Sequence, residues 1–280
     1  MWTFLVVSVL SSTHAFAFSD HDIKLNPSAI GQGGAGLLSV QNTGGTRPEV
    51  TWRGKEITML LNSSNGMWTG FIGTDLTTGP GRYTLQIRCT DEVLTRSITV
   101  LPKDYGIRRF TVSEEMEALD PTTLSRVREE AGRMRELFLV SHDQPLWRGR
   151  WIRPVNGGIV SPFGCRTVIN ELERSPHSGV DLKAAEGTPI RAANKGRVAL
   201  VGDHFFGGLS VVIDHGGGIH SMYFHLSRVS VKVGQVVERG ETIGFSGSSG
   251  RATGPHLHFG IRLNGERVNP LDIIELSERL

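Results

Sequence analysis

GPHLHFGI occupies Gly254–Ile261, and its alternation reads as a β-strand. Leu257, Phe259 and Ile261 fall on every second position, so a strand turns all three to one face. The same alternation sets His256, His258 and Gly260 on the other face. Two imidazoles on the back of an apolar strand are costly to bury unless something satisfies them. A metal ion does so well, because neutral imidazole is a good ligand.

Working outward, HSGVDL at His177–Leu182 offers His177 and Asp181 four residues apart. Gly179 and Val180 between them favour an extended chain over a helix, and in a strand the even spacing puts both side chains on one face. Taken alone, this segment also reads as a turn with an incidental His and Asp. A catalytic zinc site needs three protein ligands and an open position for water. His177, Asp181, His256 and His258 are four candidates for three places, leaving one for catalysis. SMYFHL at Ser221–Leu226 adds His225 as a fifth candidate. Alternation there places Ser221, Tyr223 and His225 on one face, and Met222 and Phe224 on the other. His204, His215 and His220 read as structural, with His215 expected at the surface in a hairpin turn, Asp214–Gly217.

The chain has 280 residues, a formal net charge of +2 and 35 glycines. That length suits two domains, and the glycine content without a collagen repeat points to many tight turns and a mainly β fold. The weak charge and the lack of a Lys/Arg run with interleaved aromatics speak against a nucleic-acid partner. Residues 1–17 read as an export signal: Trp2–Leu10 is a short apolar run and Ala15-Phe16-Ala17 has a small-x-small cleavage pattern. No Lys or Arg precedes the run, which departs from the usual signal. No later stretch reaches membrane-spanning length, so the mature chain is expected without stable membrane insertion. Cys89 and Cys165 form no metal-type C-x-x-C pair.

Residues 18–102 read as a small β-sandwich, immunoglobulin-like in its strand spacing. RYTLQIRC at Arg82–Cys89 is the cleanest strand, with Tyr83, Leu85, Ile87 and Cys89 on one face; Glu56–Leu61 is another candidate. Residues 103–150 read as a helical linker. Asp120-Pro121 is a helix start, and Leu124, Val127, Ala131, Met134, Leu137 and Phe138 recur at helical spacing to about Val140. SHDQPLWRGRW then reads as loose linker. Residues 151–280 return to short strands and glycine turns.

HSGVDL, YFHL and GPHLHF together resemble the three signature segments of the lysostaphin/LytM-type zinc metallopeptidases, the peptidoglycan endopeptidases with a duplicated hybrid motif β fold. SPFGCR, GTPIRAANKGRV, VVIDHGGG, VKVGQVVERGETIGFSGSSG and VNP match flanking segments, so the resemblance covers about residues 151–273. It implies an all-β LytM-type peptidase domain with zinc held by His177, Asp181 and His258, and with His225 and His256 as catalytic neighbours that do not bind the metal. It further implies an exported, periplasmic or wall-associated hydrolase acting on peptide bonds of peptidoglycan. The rival reading is a noncatalytic wall-binding protein or activator of other wall hydrolases, whose mark is a lost ligand. All five positions hold the expected residue. VKVGQVVERGETIG also resembles hairpins of biotinyl or lipoyl carriers, but no presented lysine accompanies it.

Overall fold

The computed structural model describes residues 19–42, 45–111, 119–173 and 175–280. Trp2–Leu10 and Ala15–Ala17 lie outside them. The chain is mainly β, as the alternating patterns predict.

Strands between Ile23 and Leu101 form two sheets. One runs Ile23–Asn26, Ala35–Val40, Trp68–Gly73, Leu60–Leu61; the other runs Ala29–Gly31, Glu92–Leu101, Gly81–Cys89, Glu49–Trp52, Lys55–Ile57. Both sheets contribute side chains to one core, the layering of a β-sandwich. In Gly81–Cys89 the alternation holds residue by residue: Leu85, Ile87 and Cys89 are buried, while Arg82, Thr84, Gln86 and Arg88 are exposed. Ile30, Leu38, Val50, Ile72, Leu85 and Ile87 fill the space between the sheets. The stretch expected as one strand over Glu56–Leu61 is divided between them. Lys55–Ile57 pairs with Glu49–Trp52, and Leu60–Leu61 pairs with Trp68–Gly73. The chain changes sheets at Thr58-Met59, and Met59 is buried there.

The region expected as a helical linker is more mixed. Asp120 caps the helix Pro121–Leu137, its carboxylate accepting from the Thr122 and Thr123 N–H groups. The helix stops three residues short of Val140. Leu124 and Ala131, placed by periodicity on the packing face, are exposed, whereas Glu130 and Phe138 are buried. Met134, Leu137 and Phe138 pack on Val212 and Met222 of the large C-terminal sheet. In the N-terminal half the inward contact is polar: Glu130 accepts from Phe205 N–H at 2.9 Å and from Arg126 Nε at 2.7 Å. Ile107–Phe110 is a strand, parallel to Arg166–Ile169. SHDQPLWRGRW is firmly anchored, because Trp147 and Trp151 are buried in the C-terminal core. Trp147 lies 5.4 Å from Phe71 of the first sandwich, centroid to centroid. Two indoles bury enough area to fix a segment that is otherwise polar.

The C-terminal sheet runs Ile159–Ser161, Val180–Lys183, His256–Leu263, Ile219–Val229, Gly208–Asp214, Gly196–His204, Val236–Val237. Val180, Leu182, Val211, Tyr223, Leu257, Phe259 and Ile261 turn to one face and form its core. A short helix, Pro270–Ser277, packs on that core through Ile273 and Leu276. Cys89 and Cys165 are both buried and free.

His215, expected at the surface, is fully buried. Its ring packs on Trp151 at 4.7 Å, its Nδ1 lies 2.8 Å from the Lys195 carbonyl oxygen and its Nε2 lies 2.7 Å from Ser221 Oγ. Ser221 Oγ in turn lies 2.9 Å from the Tyr223 hydroxyl, which accepts from Ala193 N–H. Three glycines after a histidine suggest an open turn, and only the packed indole shows that this one is covered. Burial lowers His215 to about 4. The unfolded chain takes up this proton near 6.5, so the unfolded state gains as pH falls from about 6.5 to about 4. Stability should therefore decline over that window by on the order of 3 kcal/mol from this group. Melting temperatures across it should fall, and His215→Gln should flatten part of the fall.

Candidate metal centre

Asp181 and His258 meet because their strands pair antiparallel with the two residues directly opposite each other. Same-face side chains on paired strands lie about 5 Å apart at Cβ, close enough for one metal ion to bridge. Asp181 Oδ1 lies 2.9 Å from His258 Nδ1. His177 is not in the strand as the even spacing suggested. It sits in the loop before Val180, held by His177 N–H to the Cys165 carbonyl and by Gly164 N–H to the His177 carbonyl. From there its Nε2 reaches Asp181 Oδ1 at 3.1 Å and His258 Nδ1 at 2.9 Å. Gly179 makes this approach possible. A Cβ there would stand 2.5 Å from the Phe259 carbonyl oxygen and 2.7 Å from His258 Nε2.

The donor set is two imidazole nitrogens and one carboxylate oxygen, and these three residues form a cluster that could hold a metal. Donor atoms around a tetrahedral zinc with bonds of about 2.0–2.1 Å stand roughly 3.3 Å apart. The observed triangle is slightly tighter, so small side-chain adjustments accommodate the ion. Burial raises the Asp181 carboxyl, but hydrogen bonds from His177 and His258 outweigh it and hold it well below the usual range. Burial lowers His258 to about 4, against the pull of Asp181. Both effects leave these two side chains in the protonation states that binding a metal requires at neutral pH.

His256 and His225 flank the cluster. His256 lies on the same strand face as His258, its Nε2 3.8 Å from Asp181 Oδ1. The His225 ring stands 4.7 Å from that of His256 and 6.2 Å from that of His258. Strict alternation in SMYFHL put His225 with Tyr223, and this is corrected. Tyr223 turns into the core against Phe259. Phe224 faces the site and stacks on His258, 5.4 Å away with planes 11° apart. Between the pairs Leu209–Leu226 and Val211–Tyr223 the first strand spends one residue and the second spends two, so the strand bulges there. His225 takes the left-handed conformation at φ 63°, and its N–H is held by the Gly207 carbonyl at 2.7 Å. The bulge turns the imidazole out of the core register and towards His256.

Three of the four histidines share one device. His177 Nδ1 lies 2.9 Å from the Pro162 carbonyl oxygen, His225 Nδ1 2.9 Å from that of Ser249 and His256 Nδ1 2.8 Å from that of Gly254. A carbonyl can only accept, so each Nδ1 carries the proton and each Nε2 keeps a bare lone pair. Burial lowers His225, and the neighbouring His256 adds to this against the Ser249 carbonyl, so the ring is neutral at neutral pH. Ser161 Oγ, 3.2 Å from His177 Nδ1, is itself contacted by Arg108 Nη2 at 2.5 Å. Sequence reading missed these supports because backbone carbonyls carry no residue signature, and because Arg108 arrives on a strand outside the motif region.

The model of Peptidase family M23 matches residues 175–270. A crystal structure of an M23 peptidase homologue from Pseudomonas aeruginosa is 32% identical with a TM-score of 0.69, covering 86% of this chain and 94% of that one. The chain belongs to peptidase family M23. Among curated relatives, DD-carboxypeptidase/endopeptidase Mpg of Neisseria meningitidis serogroup B is 44% identical over 115 residues, 41% of this chain and 26% of that protein. Peptidoglycan DD-endopeptidase ShyA of Vibrio cholerae is 43% identical over 114 residues, 40% of this chain and 26% of that protein. The match to these relatives thus spans about a quarter of their length. All five candidate residues of this M23 chain lie inside the family match.

Metal affinity should fall at least tenfold in Asp181→Ala and in His258→Ala, measured by metal content after dialysis. Gly179→Ala should also lose metal, whereas His225→Ala should keep it.

Proposed function

We propose that this chain is an exported zinc metalloendopeptidase hydrolysing peptide bonds in the cross-links or the stem and bridge peptides of bacterial peptidoglycan. The observation that carries this reading is the pair of histidines beside the His177–Asp181–His258 cluster. Each has its proton tied to a backbone carbonyl and its other nitrogen free. A purely structural metal site is closed by protein ligands and has no use for two such neighbours. Zinc, when held by His177, Asp181 and His258, polarises a carbonyl and lowers the pKa of water from about 16 towards ~7.

The chain's own residues do the rest. The Nε2 atoms of His225 and His256 are positioned to take a proton from the attacking water and return it to the leaving amine. Once protonated, either ring stabilises the negative charge that develops on the scissile carbonyl oxygen. The Ser249 and Gly254 carbonyls fix the rings so that this exchange runs through Nε2. Phe224 holds His258 in plane by stacking and has no proton to offer. Peptidoglycan is supported as substrate by the similarity to peptidoglycan DD-endopeptidase ShyA. Export rests on the pattern in residues 1–17. No helix among the described residues is long and apolar enough to cross a membrane. The noncatalytic alternative predicts a missing ligand, and none of the five positions is lost.

The test is zinc content together with release of muropeptides from purified sacculi. The zinc-loaded chain should release soluble peptide fragments. His225→Ala should retain zinc and lose about 10²- to 10⁴-fold in turnover, the usual range for a lost general acid–base group. The acid limb of the activity profile should lie below the ordinary histidine value, because His225 is lowered and must be neutral to act. Full zinc with no cleavage of any wall preparation would favour the noncatalytic reading.

A further inference from the structure

Of the three candidate ligands, His177 is the one that no strand register fixes. Asp181 and His258 sit on paired strands, and the apolar residues beside them set their place. His177 lies in a loop. Its backbone hangs on Gly164 and Cys165 through two hydrogen bonds, of 2.9 and 3.0 Å. The place of its ring is therefore only as firm as the stretch from Ser161 to Arg166.

That stretch is held by residues outside the family match. Ile107–Phe110 runs parallel to Arg166–Ile169, and the Arg166 N–H donates to the Gly106 carbonyl at 3.0 Å. Tyr105 packs edge-on against the buried Phe163, with 5.5 Å between ring centroids. It also covers Gly164, where the backbone is left-handed at φ 76° and an added Cβ would stand 2.4 Å from the Tyr105 ring. The Tyr105 hydroxyl donates to the Gln32 carbonyl at 2.7 Å, which ties this contact to the first sandwich. In the neighbouring strand Ile107 and Arg109 are exposed, and alternation turns Arg108 inward between them. Arg108 Nη2 donates to Ser161 Oγ at 2.5 Å, and Ser161 Oγ lies 3.2 Å from His177 Nδ1. A guanidinium can only donate, so it occupies a lone pair of Ser161 Oγ and pins that oxygen beside the ring.

We propose that Arg108 is a positioning residue of the candidate metal centre. It acts through Ser161 on His177, while Tyr105 and Gly106 carry the loop on which the same histidine hangs. The segment that joins the sandwich to the peptidase sheet thus sets how tightly the cluster holds a metal ion, although it supplies no ligand. This rests on the reading of His177, Asp181 and His258 as metal ligands. Groups that orient a ligand change metal affinity by about 10- to 100-fold when removed.

The test is the zinc affinity of the full chain, by competition with a chromophoric chelator at pH 7 and fixed ionic strength. Arg108→Met and Ser161→Ala should each bind zinc about tenfold more weakly. The double variant should bind no more weakly than either single one, because both act on one path. Arg108→Lys, which keeps a donor for Ser161, should recover most of the loss. Additive losses in the double variant, or a lowered melting temperature of metal-free Arg108→Met with unchanged zinc affinity, mark a merely structural role and overturn the proposal. Asp181→Ala separates it from the reading it rests on. Loss of zinc in Asp181→Ala with parental affinity in Arg108→Met overturns the positioning role alone, and absence of zinc binding by the parent chain overturns both. Where Arg108→Met fails to fold, parental affinity in Ser161→Ala overturns the proposal.

Discussion

The pairing of Val180–Lys183 with His256–Leu263 is the constraint on which the site depends. One register sets Asp181 opposite His258 and, across the other edge of the same strand, Phe224 opposite His258. A slip of one residue would turn every side chain of the strand to the other face. Leu257, Phe259 and Ile261 forbid it, because slippage would carry them from the core onto the polar face. The hydrophobic effect on one side of the strand thus fixes the geometry of the candidate metal cluster on the other.

Around that register, the remaining parts are held by backbone groups. Loop pairing at Gly164 and Cys165 brings His177 to the cluster, and Gly179 leaves room for it. A bulge and a left-handed residue bring His225. Carbonyls of Pro162, Ser249 and Gly254 each fix a ring nitrogen. An imidazole held this way has little rotational freedom left to lose. Segments outside the family match also contribute. Arg108 contacts Ser161 beside His177, and Glu130 braces the Phe205 backbone two residues before the Gly207 carbonyl that holds His225.

Period-two and helical patterns were legible wherever one face alone decided burial. GPHLHFGI and RYTLQIRC both fold as their alternation demands, and Asp120-Pro121 starts its helix as its capping chemistry requires. The patterns misled where tertiary contacts overrode local ones. Leu124 and Ala131 fit a helical stripe yet face solvent, because the helix meets the large sheet mainly through its C-terminal half. His215 is followed by three glycines yet is covered by Trp151. Tyr223 and Phe224 exchange the faces expected of them relative to His225, because a bulge costs one residue and leaves no mark in residue type.

The sequence by itself determined which titratable side chains could gather at one site. Imidazoles and a carboxylate at His177, Asp181, His225, His256 and His258, set in or beside apolar strands, are the side chains that metal binding and proton transfer call for. It also determined a mainly β chain, since alternation and glycine turns are local properties. Tertiary structure alone decided which nitrogen of each histidine faces inward, which aromatic stacks on His258, and how the tryptophans of 147–151 join the sandwich to the peptidase sheet. Those outcomes depend on strand register, a bulge and carbonyls distant in sequence, and no local pattern encodes where a distant carbonyl will stand.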